Sequence, residues 1–382
     1  MTTRRDFLKS SLLAGTALGY SSALAQEQAA VPSKHVVVPM KHILRPTLSP
    51  RVIDIPNVGE FRVLKGDFHI HTLFSDGLVM PRQRVTEAVD NGLDCIAITD
   101  HIEVRPFLSN GKLKLAENND DHNASYAMAK PEADKRNLIL IRGAEITKKT
   151  FPPGHFNVLF AKDINPIAAA VDDWRTMIKA AVEQGAFILW NHPGWVSDHG
   201  GLAEGQPMFF PKEHEELLQK GRLHGIEAFN WSELSPLVPD WCNKNDLAVF
   251  ANSDIHASEA DWYGFQNPQR PMNLILARER TGESIKEALF AKRVIGWAAG
   301  NLWGRNESME QLFDACVNVE ITAGNVKLSN RSDIPCSISY AGKTYELAVK
   351  GTTEFAFDPN RKTFSVANWF VGMDKMLERR IS

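Results

Sequence analysis

The fold is decided by residues 64–77, which read Leu-Lys-Gly-Asp-Phe-His-Ile-His-Thr-Leu-Phe-Ser-Asp-Gly. The apolar run Phe68–His71 predicts a short β-strand. Side chains alternate between the two faces of a strand, so His69 and His71 point to the same side. A turn, Ser75-Asp76-Gly77, then adds a carboxylate. The stretch therefore predicts a strand whose end carries ligands for a metal ion.

Six further apolar runs follow, and amphipathic helical stretches separate several of them. The runs are Cys95–Thr99, Leu138–Ala144, Phe156–Ala161, Ala186–Trp190, Ile226–Phe229 and Leu247–Ala251. The amphipathic stretches are Gln83–Asn91, Trp174–Gln184, His214–Gly221 and Ser284–Lys292. Alternating strands and helices predict parallel strands joined by right-handed crossovers. Seven such units with no obvious reversal favour an α/β barrel over an open sheet.

Metal-type ligands recur at the ends of these predicted strands. Together with His69, His71 and Asp76 they are His101, Glu145, His155, His192, Asp254 and His256. Side chains from such distant parts of the chain meet only if the strands close around an axis, and a barrel does this at one mouth. Asp254 and His256 repeat the i, i+2 spacing of the first pair. The pattern predicts one metal site built from nitrogen and oxygen ligands.

Six motifs, in this order, resemble the polymerase and histidinol phosphatase (PHP) domain family over about residues 64–300. They are His69-Ile-His71-Thr-Leu-Phe-Ser-Asp76-Gly, Ile-Thr-Asp100-His101, Gly-Ala-Glu145-Ile, Gly154-His155-Phe-Asn-Val-Leu, Asn191-His192-Pro-Gly and Asn-Ser-Asp254-Ile-His256. The resemblance implies a distorted (βα)7 PHP-type barrel. Longer phrases, such as Pro-Pro-Gly-His-Phe-Asn-Val-Leu-Phe, resemble an exported bacterial phosphodiesterase branch that acts on organophosphate diesters.

The resemblance also implies how the ligands divide. His69, His71, Glu145 and Asp254 would hold one ion, and Glu145 would bridge to a second ion held by His155 and His192. The third group would be Asp76, His101 and His256, although many family members have His at the first of these positions. This departure leaves two or three metal ions open. With two ions, Asp76 or His101 would instead act as a general acid or contact the phosphate.

Nitrogen and oxygen ligands suit Mn²⁺, Zn²⁺ or Fe²⁺, and Mn²⁺ is the expected ion. We expect a metal-dependent phosphodiesterase that hydrolyses small organic phosphodiesters by a metal-bound hydroxide. Arg105 follows the second motif and is either a phosphate clamp or a surface ion pair with Glu103. Four aromatic residues after strand ends form either an apolar wall for an ester group or ordinary rim packing. They are Trp195, Trp231, Trp262 and Tyr263.

Parts of the sequence pattern also fit other functions. The alternatives are a phosphomonoesterase of histidinol-phosphatase type and a non-catalytic metal-binding barrel, which would be expected to lack ligands. An amidohydrolase barrel usually bridges its metals with a carboxylated lysine, whereas Glu145 stands at the bridging position here. The formal net charge of −3 gives no basic excess for a nucleic-acid partner.

The 382 residues are predicted to form an exported, multi-part chain. Residues 1–25 resemble a twin-arginine signal with Arg4 and Arg5, which predicts a periplasmic protein without stable membrane insertion. Residues 26–60 are a Pro-rich extended lead-in, residues 61–305 the metal-dependent barrel, and residues 309–382 a small C-terminal β-sandwich-like domain. In an exported protein, Cys316 and Cys336 could form a disulfide.

Overall fold

The computed structural model describes residues 51–108, 113–263 and 269–381, and these belong to one compact unit. The predicted signal, residues 1–25, and most of the lead-in lie outside the described residues. No helix in the described part of the chain has the length and apolar character needed to span a membrane. The four cysteines are buried free thiols, so Cys316 and Cys336 are not joined.

Eight strands lie between residues 62 and 252, the part of the predicted barrel that contains the seven apolar runs. They are β1 (Arg62–Asp67), β2 (Cys95–Ile98), β3 (Ile139–Thr147), β4 (His155–Leu159), β5 (Phe187–Trp190), β6 (Gly225–Asn230), β7 (Glu233–Leu234) and β8 (Ala248–Asn252). Six of these strands, β2 to β6 and β8, each match one predicted apolar run. The other two do not: β7 is a two-residue hairpin partner of β6, and β1 ends one residue before the predicted run Phe68–His71. The first strand begins earlier than predicted, so His69 and His71 follow β1 rather than end it.

Nine helices accompany these strands in the described residues. They are α1 (Pro81–Asp90), α2 (Ala124–Lys135), α3 (Asn165–Ala168), α4 (Trp174–Glu183), α5 (Lys212–Gln219), α6 (Val238–Asn245), α7 (Glu259–Tyr263), α8 (Gly282–Phe290) and α9 (Asn306–Cys316). The four predicted amphipathic stretches correspond to α1, α4, α5 and α8. In α4, Asp173 caps the first turn, and Met177, Ile178 and Ala181 form the buried stripe.

The strands pair in the order β1, β2, β3, β4, β5, β6, β8. Most neighbours are parallel, as predicted, but β4 is antiparallel to both β3 and β5. The prediction of parallel strands throughout is therefore wrong at β4. The link from Thr147 to His155 is too short for a crossover helix, so the chain returns as a hairpin.

Backbone hydrogen bonds do not close these strands into a complete ring. Next to β1 lies β9 (Met272–Ala277), which pairs with it antiparallel. Between the chain after β1 and the chain after β8 there is one isolated parallel bridge, Ile70 to Ile255. The side chain of Asn273 spans the remaining gap, because its amide accepts from the Ala251 N–H at 3.0 Å and donates to the Ala251 carbonyl at 2.9 Å. The predicted barrel is thus joined at this junction mainly by side chains.

The rest of the chain is mostly strand. It contains β10 (Val294–Ala298), β11 (Asn301–Gly304), β12 (Val317–Thr322), β13 (Asn325–Asn330), β14 (Cys336–Tyr340), β15 (Lys343–Leu347), β16 (Thr352–Ala356), β17 (Thr363–Phe370) and β18 (Met376–Arg380). The strands β12, β13 and β16 form a separate sheet, whereas β17 pairs in parallel with β11 and so extends the large sheet. Helix α9 covers the first residues of the predicted all-β segment, 309–382. The predicted domain limits stay predictions.

Candidate metal centre

Every predicted ligand lies at the same end of the strands. His69 and His71 follow β1, His101 follows β2, and Asp254 and His256 follow β8. His192 follows β5, and Glu145 lies near the end of β3. Because β4 runs in the opposite direction, its first residue, His155, also reaches this end. The direction of β4 was not predicted, but it is this reversed direction that places His155 beside the other ligands.

The carboxylate of Glu145 lies at the centre of the cluster and is fully buried. Its Oε2 atom faces three ring nitrogens: His69 Nε2 at 3.4 Å, His71 Nε2 at 3.4 Å and His101 Nδ1 at 2.8 Å. Its Oε1 atom faces His155 Nδ1 at 3.1 Å and His192 Nε2 at 3.6 Å. One carboxylate thus faces two different sets of imidazoles.

Two aspartates complete the cluster. Asp254 Oδ1 lies 3.0 Å from His71 Nε2 and 3.3 Å from His69 Nε2. Asp76 Oδ1 lies 3.1 Å from His256 Nε2 and 3.4 Å from His101 Nε2. The Asp76 side chain is 31% exposed, whereas that of Asp254 is 1% exposed. Asp76 is therefore on the solvent side of the cluster.

The nine predicted residues form four overlapping groups that could each hold a metal ion. The groups are His71, Asp76, His101 and His256; His69, His192 and Asp254; His69, His71 and Glu145; and Glu145, His155 and His192. Within each group, the ligand atoms lie within 4.8 Å of one another. Arg105 belongs to none of them: its Nε donates to the Phe74 carbonyl at 3.1 Å. Its predicted partner Glu103 pairs with Lys148 at 2.8 Å.

The orphaned polar atoms of the cluster fit bound cations. Among the described residues, His69 Nε2, His71 Nε2 and Glu145 Oε2 are buried and lie within ion-pair distance of oppositely charged groups, but none of the three makes a hydrogen bond of regular geometry. These atoms converge, since both ring nitrogens face the same carboxylate oxygen at 3.4 Å. A buried polar atom without a partner costs free energy, and a divalent ion among the three would satisfy all of them.

The charges in the cluster shift its pKa values. Burial disfavours a charged His69, but the carboxylates of Asp254 and Glu227 hold its pKa well above the usual value. Burial likewise disfavours an ionised Glu145, but His101 and His69 hold its pKa well below the usual value. The central carboxylate is therefore held in its charged, metal-binding form.

Two ligands have a strained backbone. His192 has φ of 32° and Asp254 has φ of 48°, which place both in the left-handed region that side chains disfavour. Such a conformation costs about 1–3 kcal/mol and persists only when surrounding contacts impose it. The Glu227 carboxylate imposes one of them, since its Oε2 accepts from the His192 N–H at 2.9 Å.

Glu227 was not predicted from the sequence, although it contacts His69 on the ring nitrogen that faces away from Glu145. It lies in β6, is fully buried, and its Oε1 is 2.9 Å from His69 Nδ1. Asn230 and Asn252 each donate to it at 2.8 Å. A carboxylate behind a ligand imidazole fixes the tautomer and orientation of the ring. The signal was present, because Glu227 is the one polar residue in the predicted apolar run Ile226–Phe229.

Three other buried polar groups hold the ligands from outside the cluster. Asp100 accepts from Ser75 Oγ at 2.8 Å, and that hydroxyl lies 3.3 Å from His71 Nδ1. Asn191 donates to Glu145 Oε1 at 2.8 Å. Thr147 Oγ1 lies 2.5 Å from His101 Nδ1. These contacts fix the positions of side chains that would otherwise rotate.

One solved structure similar to this chain is described as containing a metal-dependent enzyme, which is consistent with a metal site here. No protein-family model matches the chain, and no curated protein matches it. A solved two-domain protein from Bacteroides vulgatus, described as containing a predicted PHP-like metal-dependent phosphoesterase, is 31% identical. That match covers 87% of this chain and 98% of the other, with a TM-score of 0.78.

A second solved structure, from Bifidobacterium adolescentis, is described as a candidate metal-dependent phosphoesterase. It is 16% identical over 59% of this chain and 95% of its own, with a TM-score of 0.41. A TM-score this low does not establish a common fold, so the assignment rests on the Bacteroides protein. The match between that protein and this chain covers almost the full length of the Bacteroides protein. The protein therefore belongs to the PHP-like metal-dependent phosphoesterase family.

Proposed function

We propose that the protein is a phosphodiesterase that hydrolyses small organic phosphodiesters with two or three divalent metal ions. The observation that carries this proposal is the Glu145 carboxylate, whose two oxygens face separate sets of imidazoles. A carboxylate shared in this way can bridge the two ions of a binuclear hydrolytic site. The resemblance of the sequence to an exported diesterase branch supports the choice of a diester.

Different ligands would bind each metal ion. His69, His71 and Asp254 would bind one ion, His155 and His192 a second, and Glu145 both. Asp76, His101 and His256 form the group for a third ion. Mn²⁺ is the ion that we propose, with Zn²⁺ or Fe²⁺ as alternatives. When bound, the ions would supply Lewis-acid activation of water and of the phosphoryl group.

The chain's own groups would handle the substrate at the mouth. Asp76 is the exposed member of the cluster and touches His101 and His256, so it is placed to contact the incoming ester. With two ions bound, Asp76 or His101 would deliver the proton to the leaving alcohol. Arg105 lies on the loop after His101, where its guanidinium would bind a phosphate oxygen.

The cellular setting is also a proposal. The pair Arg4-Arg5 and the weakly apolar residues after it support twin-arginine export to the periplasm. Export of a folded protein would allow the site to be filled with Mn²⁺ before it meets more competitive metals outside. Metal analysis of protein purified from the periplasm, compared with cytoplasmic protein lacking residues 1–25, tests this.

Activity with model esters tests the function. Metal-depleted protein reconstituted with Mn²⁺ should hydrolyse bis(p-nitrophenyl) phosphate faster than p-nitrophenyl phosphate. Glu145→Gln should lower kcat/KM at least about 10³-fold, since one side chain serves two ions. Glu320→Gln, an exposed carboxylate on β12, is the matched control and should leave the rate unchanged.

Three outcomes would contradict the proposal. A faster reaction with the monoester would indicate a phosphomonoesterase of histidinol-phosphatase type. No turnover with Mn²⁺, Zn²⁺ or Fe²⁺, despite bound metal, would indicate a non-catalytic barrel. Normal turnover by Glu145→Gln would show that this residue does not bridge the ions.

A further inference from the structure

Aromatic rings contact the metal cluster on one side of its mouth. Trp195, on the loop after β5, lies with its ring centroid 4.9 Å from that of His192 and 5.5 Å from that of His155. Trp262, on α7, stacks against His256 at 5.8 Å. The first ring thus borders the second ion's ligands, and the other borders the group of Asp76.

Further apolar residues connect these two rings. Trp231, after β6, lies 5.5 Å from Trp262. Gly194 donates to Ser235 Oγ at 3.0 Å, which joins the loop of Trp195 to the turn of Leu234. We call Trp195, Val196, Leu234, Trp231, Trp262 and Leu78 the apolar arc.

Several members of the apolar arc are open to solvent. Val196 is 54% exposed, and Leu78 and Leu234 are each 47% exposed. The Leu78 N–H donates to the His256 carbonyl at 2.7 Å, so this residue lies beside the ligands as well. Trp231 has φ of 54°, a strained conformation for a tryptophan. Large apolar groups left exposed beside a polar centre are typical of ligand-binding surfaces.

The segments that follow β2 and β3 form a polar side of the mouth. There Arg105 donates to the Phe74 carbonyl, and Lys148 pairs with Glu103 at 2.8 Å. The Thr147 N–H, next to Lys148, donates to the same Glu103 carboxylate at 2.9 Å. The two ester groups of a diester bound at the metals would therefore meet different surroundings.

We propose that the substrate is an unsymmetrical phosphodiester, one of whose alcohols is a large apolar group that lies on the apolar arc. This inference rests on the proposed function, since the metal cluster must hold the phosphate. The apolar group is aromatic or a long alkyl chain, because flat indole rings and aliphatic side chains both line the arc. The second ester group faces the polar side and is small or hydrophilic.

The test varies one ester group and keeps the leaving group constant. The Mn²⁺-loaded protein is assayed with p-nitrophenyl diesters whose second alcohol is methyl, benzyl or octyl. We expect kcat/KM for the better of the two large esters to exceed that for the methyl ester by about tenfold or more. A benzyl preference identifies an aromatic group, and an octyl preference identifies an alkyl chain. Equal values for all three esters would overturn the inference.

Tryptophan variants test whether the apolar arc causes the preference for a large ester group. Trp195→Leu and Trp262→Leu should each reduce the ratio of the large ester to the methyl ester at least about threefold. Trp195→Phe retains a ring and should keep most of the ratio. Trp174→Leu, on α4 where it stacks on Phe156, is the matched control and should not change the ratio. An unchanged ratio in both leucine variants would overturn the inference.

Binding without turnover separates this inference from the proposed function. Calorimetric titration of the metal-loaded protein should give dibenzyl phosphate an affinity about tenfold or more above that of dimethyl phosphate. If no ester is hydrolysed, the proposed function fails, and the titration alone then decides the inference. Equal affinities for the two phosphates would overturn it.

Discussion

The imidazole of His69 is held between two carboxylates. Its Nε2 faces Glu145, and its Nδ1 lies 2.9 Å from Glu227. The Glu227 oxygen fixes the proton on Nδ1 and so leaves Nε2 free to bind a metal. The same carboxylate holds the His192 N–H, which couples the ligands of two ions.

Glu227→Gln keeps the shape of this side chain and removes its charge. We expect Mn²⁺ affinity to fall by about 10- to 100-fold, because a neutral amide makes His69 a weaker base. Calorimetric titration of metal-depleted protein measures this directly. Glu283→Gln, exposed on α8, should bind as the unaltered protein does. An affinity equal to that of the unaltered protein would show that Glu227 does not orient a ligand.

The sequence predicted which side chains lie together in the cluster, but it did not predict which groups hold them in position. All nine predicted ligands lie together. Eight of them are within four residues of the end of a strand, and Asp76 is on the turn that follows His71. Glu227 was missed because a lone acid within an apolar strand has no spacing partner in the sequence. Asp100 was seen in a motif, but its role depends on Ser75, which only the folded turn brings close.

At the level of elements, helix α1 locks two ligand-bearing segments together. Arg84 is buried, and its guanidinium donates to the carbonyls of His71, Ile255, His256 and Ala257 and to Glu87. All five N–H groups are thus used, at distances from 2.8 to 3.1 Å. The contacts tie the chain after β1 to the chain after β8.

Arg84→Met should therefore lower the free energy of unfolding by about 3 kcal/mol, because four carbonyls and a carboxylate lose a buried donor. Chemical denaturation of the metal-depleted protein measures this value. The metal content of the loaded variant should also fall, since His71 and His256 lose their fixed positions. Arg82→Met, exposed on the same helix, should change stability by less than about 0.5 kcal/mol. Equal stability of the two variants would contradict the role given to Arg84.

The apolar runs predicted the positions of most strands, but not whether each strand is parallel or antiparallel to its neighbours. The periodicity of β4 is the same in either direction, so its reversal was decided by the short link after Thr147. The strand β9 is fully buried and, apart from Asn273, apolar, yet it was not among the predicted runs. In the C-terminal segment, the turn residues predicted where the strands lie. The pairing of β17 with β11 was not predicted, because it joins residues that are far apart in the sequence.

For the molecule as a whole, stability should depend on pH through a histidine that is not one of the predicted ligands. His214, on α5, is buried among aromatic rings, with Trp190 at 4.1 Å and Phe156 at 5.1 Å. Burial lowers its pKa to about 3. The unfolded chain takes up this proton near pH 6.5, and the folded chain only near pH 3, so stability is lost as the pH falls through that window.

His214→Phe removes this proton and keeps an aromatic ring in place. Between pH 7 and pH 5, we expect the variant to lose about 2 kcal/mol less unfolding free energy than the unaltered protein. Denaturant titrations of the metal-depleted protein at the two pH values give the comparison. His199→Ala, at an exposed position, should leave the dependence unchanged. An identical pH dependence in His214→Phe would show that His214 is not the group responsible.

The incomplete ring has a consequence for how metal loading and folding depend on each other. His69 and His71 stand on the β1 side of the junction that lacks a backbone ladder, and Asp254 and His256 stand on the β8 side. An ion held by ligands from both sides would be a cross-link over this junction, where the strands are joined mainly by side chains. Metal occupancy would then complete the architecture as well as the chemistry, and a chelator would act on both together.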